Sequence, residues 1–91
     1  VDPQEVERII LTFPGIIEVF VFCVVNEKWG EAVSALLKTD GEIDFQDFHS
    51  YLKSHLMVYK IPKYYRIVDE IPLTAIGKHD LEGSRQLLFE R

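Results

Sequence analysis

The stretch "IIEVFVFCVV", residues 16 to 25, constrains the fold more than any other part of the chain. It is rich in β-branched and aromatic side chains, which fit an extended, packed backbone. Read with a period of two, one set of side chains is Val19, Val21 and Cys23, and the other is Phe20, Phe22 and Val24. Both sets are apolar, so this strand is expected to be covered on both faces instead of turning one to water. Its apolar core, Val19 to Val25, falls far below the roughly 18 residues that a membrane-crossing helix requires. Cys23 is the only cysteine, which excludes an intrachain disulfide and a Cys-based zinc site. In such a run it is expected to be a small buried thiol, not a nucleophile.

The remaining elements follow from periodicity and punctuation. Asp2 and Pro3 start a helix, and Val6, Ile9, Ile10 and Phe13 fall on one side of it before Pro14-Gly15. After a polar turn from Asn26 to Gly30, Glu31 to Lys38 reads as a second strand; the short connection predicts antiparallel pairing. Asp44 caps a second helix with Phe45, Phe48, Leu52 and Leu56 as its apolar stripe, ending near His55. Pro62 forces an extended segment, Tyr64 to Val68 makes a third strand, and Asp80 to Phe89 a closing helix carrying Leu81 and Leu88. The order α-β-β-α-β-α predicts one small α+β domain over residues 1–91, with helices flanking a three-stranded sheet.

Composition narrows the function. The formal charge of -5 opposes non-specific nucleic-acid binding, which needs a basic face. One local cluster, Lys60, Lys63 and Arg66, is a candidate for holding a phosphate. His49, His55 and His79 lack the spacing of a metal set, since His49 and His55 stand six residues apart on one helix. No secretory leader is visible, so a reducing, cytoplasmic setting is expected. The chain opens on Val1-Asp2-Pro3 without an initiator methionine, and is expected to be a piece of a longer polypeptide.

Four stretches in order, "VDPQEVERIILTFPGIIEV", "NEKWGEAVSALL", "YKIPK" and "VDEIPLTAIGK", carry a family resemblance. Together they resemble the small C-terminal domain of the adenylate-forming enzymes, which include acyl-CoA synthetases, peptide-synthetase adenylation domains and luciferases. The resemblance implies the mobile C-terminal part of an ATP-dependent acid–CoA ligase. Such an enzyme activates a small carboxylic acid as its acyl-AMP and then passes the acyl group to CoA. ATP and CoA are the implied co-substrates. Mg²⁺ is expected with ATP and would be ligated outside this chain, on a large N-terminal domain that is the implied partner.

The same resemblance assigns roles to single residues. Lys78 matches the lysine that serves adenylation, where an ammonium offsets the repulsion between a carboxylate and the α-phosphate. Gly77 lets the preceding loop turn sharply. Trp29, Tyr59 and Lys63 match positions that contact the nucleotide end of CoA, with Tyr59 stacking on adenine and Lys63 pairing with a phosphate. Some relatives carry arginine where Ile61 stands, and many continue after the lysine differently from His79-Asp80-Leu81. Two alternatives stay open: an adenylation domain that loads a carrier protein, and a non-enzymatic α+β binding module.

Overall fold

Each α-helix among the described residues begins at an aspartate whose carboxylate takes a backbone N–H of the first turn. The computed structural model describes residues 2–26 and 30–89. Asp2 accepts from the Gln4 amide at 3.0 Å and opens α1, Pro3–Leu11. Asp44 accepts from the amides of Gln46 at 2.9 Å and Asp47 at 3.2 Å and opens α2, Phe45–His55. Asp80 accepts from the Gly83 amide at 3.1 Å and opens α3, Leu81–Leu88. These bonds satisfy amides that have no partner within their own helix.

The sheet has the order β1-β2-β3, with β1 Ile16–Asn26, β2 Gly30–Thr39 and β3 Tyr64–Ile67. β1 and β2 pair antiparallel, as the short connection predicts, from Ile16 opposite Thr39 to Asn26 opposite Gly30. A register shift between Ile16 and Glu18 leaves Ile17 48% exposed. β3 runs parallel to β2, with Ser34 opposite Tyr64 and Leu37 opposite Ile67. A parallel neighbour needs a long crossover, and α2 with the single 3₁₀ turn Val58–Lys60 supplies it.

The doubly apolar run is covered on both faces. On one side Val19 and Val21 pack with Val33, Ala35 and Leu37 of β2 against α1 and α2, through Val6, Ile10, Phe48 and Leu52. On the other side Phe22, Val24 and Leu36 pack against Ile71 and Leu88 of the α3 layer. Strand alternation sends odd and even positions to the two clusters, so β2 is buried without a break from Ala32 to Leu37.

Several details differ from the sequence expectations. Cys23 is half-buried, not fully buried. It shares a face with Val25, which is 76% exposed, so helical cover thins towards this end of β1. In α2 only Phe48 and Leu52 are fully buried; Phe45 is 45% exposed and rests its ring 5.7 Å from that of Tyr65. Leu81 is 50% exposed, while Leu88 reaches the core. Of the expected polar turn Asn26 to Gly30, Asn26 ends β1 and Gly30 begins β2, while residues 27–29, Trp29 among them, lie outside the described residues.

Two polar contacts tie the first helix to its surroundings. Glu7 accepts the Val21 amide of edge strand β1 at 2.8 Å. The Lys60 ammonium donates to Glu5 at 2.7 Å and also stands 5.8 Å from the centroid of the Tyr59 ring. Its hydrogen bond to Glu5 raises the Lys60 pKa above the ordinary value of 10.5, against a smaller opposing effect of desolvation.

Candidate functional site

Lys78 sits on a tight hairpin between the sheet and α3. The Gly77 amide donates to the Thr74 carbonyl at 3.0 Å, and the Thr74 amide donates to the Lys78 carbonyl at 2.7 Å. With Gly77 at φ 84°, this is a three-residue loop in which the last position takes the left-handed conformation that glycine accepts readily. The ribbon below is held by a bridge between Leu73 and His79 and by the Asp80 amide on the Pro72 carbonyl at 2.9 Å. Thr74 adds a side-chain acceptor, its Oγ1 lying 3.3 Å from the Lys78 amide.

The hairpin is docked as well as closed. His79, adjacent to Lys78, lies over the Phe20 ring of β1 with centroids 4.5 Å apart. Asp80 then caps α3, so the turn, the lysine and the helix start form one continuous short segment. The backbone of Lys78 is therefore fixed while its side chain is exposed. At the hairpin tip Ile76 is 79% exposed. The arrangement can deliver an ammonium on a long stem to a target beyond the domain's own surface.

A second region lies on the other face of the sheet. A groove of about 550 Å³ runs between α2 and the segment leading into β3. His49 and Lys53 of α2 line one side, and Val58, Ile61, Pro62, Lys63 and Tyr65 line the rest. Tyr65 also packs with the α1 and α2 cluster, which fixes the face. Tyr59, which follows the lining residue Val58 in the chain, is 62% exposed, and its ring centroid lies 5.8 Å from the Lys60 ammonium.

The sequence-named residues thus divide into two groups. Gly77 and Lys78 come together on the hairpin; Lys63 lines the groove; Tyr59 is exposed on the 3₁₀ turn and is not among the lining residues; Trp29 lies outside the described residues. The expected basic cluster is not one cluster. Lys60 turns to Glu5 of α1, whereas Arg66 donates to the Leu87 carbonyl at 2.7 Å on the α3 side. Strand alternation sends Arg66 to the face of Leu36, opposite the groove. His49 and Lys53 were not singled out as a pair by the sequence reading. Their spacing of four on α2, which aligns side chains along one helix face, was the available signal. Among the described residues, no group of three or more His, Cys, Asp or Glu side chains is placed to hold a metal ion. No helix among them is long and apolar enough to cross a membrane.

Comparison with known proteins bears on this geometry. The family described as the AMP-binding enzyme C-terminal domain matches residues 5–78, so the match ends on Lys78. A 2-succinylbenzoate–CoA ligase of Bacillus pumilus is 36% identical over 76 residues, covering 84% of this chain and 16% of the relative. A long-chain-fatty-acid–CoA ligase of Mycobacterium tuberculosis is 37% identical over 77 residues, covering 84% of this chain and 15% of the relative. The chain therefore spans about a sixth of the length of the curated relatives it matches. Among solved structures, ATP-bound MatB from Rhodopseudomonas palustris superposes with a TM-score of 0.86 at 29% identity, over 99% of this chain and 18% of that one. The amide bond synthetase McbA from Marinactinospora thermotolerans superposes with a TM-score of 0.85 at 28% identity, over 96% of this chain and 18% of that one. The family match covers most of the chain and the same fold recurs in these structures: the chain belongs to the AMP-binding enzyme C-terminal domain family.

Proposed function

We propose that the chain is the mobile C-terminal domain of an ATP-dependent acid–CoA ligase, and that Lys78 is its catalytic contribution to adenylation. The observation that carries this reading is the hairpin: a rigid backbone presents one exposed ammonium at the end of the family match. In the reaction, the substrate carboxylate attacks the α-phosphate of ATP and pyrophosphate leaves. Both reactants are anions. The Lys78 ammonium, placed between the carboxylate and the phosphate oxygens, stabilises the charge that accumulates and holds the two in line. Gly77 shapes the loop that delivers it. Mg²⁺, the remaining ATP contacts and the acid-binding pocket belong to an N-terminal domain, the expected partner.

In the second step the acyl group of the acyl-AMP passes to the CoA thiol. Tyr59 and Lys63, with Trp29, are proposed to receive the nucleotide end of CoA, Lys63 from the groove on the opposite face of the sheet. An exposed ring suits adenine stacking, and a lysine at a groove suits a phosphate. The small domain then turns between the two steps. We place the enzyme in the cytoplasm, where ATP and CoA meet.

The test separates the steps in the intact polypeptide that carries this domain. Lys78→Ala is expected to lower acid-dependent pyrophosphate exchange by roughly 10²–10³. Thioester formation from supplied acyl-AMP and CoA should stay within a few-fold of wild type. Equal loss in both assays overturns the assignment. The likeness to an amide bond synthetase keeps a second acceptor class in view. Accumulated acyl-AMP offered to CoA, to an amine or to a phosphopantetheinylated carrier protein decides it, and CoA consumption is the expected outcome.

A further inference from the structure

The groove that Lys63 lines contains more cationic chemistry than the residues assigned to CoA, because Lys53 lines it too. His49 and Lys53 lie four residues apart, on the same side of α2, and both line the groove with Lys63. The three donors approach from two walls, α2 and the segment entering β3, and the rest of the lining is Val58, Ile61, Pro62 and the aromatic Tyr65. No Asp or Glu occurs among the lining residues, although the chain as a whole carries a formal charge of -5. A concave site that gathers two lysines and a histidine donor on an acidic molecule is complementary to a compact, multiply charged anion with an organic body.

A phosphate monoester fits this description. It carries nearly two negative charges at neutral pH and offers three strong acceptor oxygens. CoA has one such group, the 3′-phosphate of its nucleotide; its two bridging phosphates are esters with a single charge each. The apolar residues Val58, Ile61 and Pro62 form a surface on which the adjoining ribose can rest. Resting on the assignment of CoA as acyl acceptor, we propose that Lys53 of α2 is a specificity-determining residue. With His49 and Lys63 it grips the 3′-phosphate, so that the groove selects CoA over acceptors lacking that phosphate.

The experiment compares CoA with 3′-dephospho-CoA in thioester formation by the intact enzyme, for wild type, Lys53→Ala and Lys53→Arg. Lys53→Ala is expected to raise the KM for CoA about three- to tenfold, as for a charge-assisted contact at a partly wet site. The KM for 3′-dephospho-CoA, kcat and pyrophosphate exchange should not change, and Lys53→Arg should recover most of the CoA affinity. An equal rise for both acceptors, or no rise for either, overturns the proposal. If wild type exchanges pyrophosphate yet forms no thioester with CoA, the acceptor assignment fails. The groove is then judged by calorimetry with adenosine 3′,5′-bisphosphate: weaker binding by Lys53→Ala sustains a phosphate site, and unchanged binding overturns it.

Discussion

At Gly77 the backbone adopts φ 84°, and a β-carbon built there meets nothing within 4 Å. The cost of a side chain at this point is therefore conformational, roughly 1–2 kcal/mol for a residue with a β-carbon. Asparagine visits this region more readily than β-branched residues do. Gly77→Val should open the hairpin more often than Gly77→Asn, seen as about tenfold faster hydrogen exchange at the Thr74 amide, with pyrophosphate exchange falling in the same order. Lys60 offers a pH signature. Its folded pKa is raised, so its contribution to stability is complete below about 10.5 and is lost as pH climbs through the folded value. Lys60→Met should melt below wild type from neutral pH to about 10.5, and the two melting curves should converge only as pH passes the raised folded value.

Among the elements, the starts were the most legible in the sequence, because one local side chain decides each of them. Asp2, Asp44 and Asp80 all cap the helices they announce. Asp80→Ala should cost about 1 kcal/mol, the usual worth of such a cap, measurable by urea unfolding. Gly83→Ala, a change that commonly stabilises a helix interior by about 1 kcal/mol, should give no such gain here. Its new β-carbon would stand 2.6 Å from Oδ2 of Asp80 and displace the cap. The direction of β3 was not legible, since it depends on where α2 and the 3₁₀ turn leave the chain, and no local residue encodes that path. The scattering of Lys60, Lys63 and Arg66 has the same origin: neighbours in sequence were parted by a turn and by strand alternation. Lys78 and Gly77 were legible as a pair because the resemblance and the turn chemistry pointed to one segment. The clasp of His79 on Phe20 was not, because it joins residues far apart in the chain. Glu7 belongs here too: its hold on the Val21 amide occupies an edge-strand donor, and Glu7→Leu should increase self-association in sedimentation or light scattering.

The whole molecule is a sheet with a separate apolar cluster on each side, and both clusters draw on the same buried strand. Phe48 is 1% exposed on one side and Leu36 fully buried on the other. Truncating either to alanine should cost roughly 3–5 kcal/mol, against a total stability of about 5–15 kcal/mol for a domain. Either variant should lower the urea midpoint of this domain by about a fifth or more, and in the intact enzyme should depress both half-reactions together, unlike Lys78→Ala. The sheet also divides the two proposed working parts, with the hairpin ammonium on one side and the cationic groove on the other. A plate that bears one tool on each side cannot apply both to the same spot at once. On the proposed reading, the domain acts as a turnstile: while the lysine attends the nucleotide the thiol has no admission, and once the thiol is admitted the lysine has been carried away. Sequence in time would then require no separate regulator, because mutual exclusion is written into the thickness of three strands.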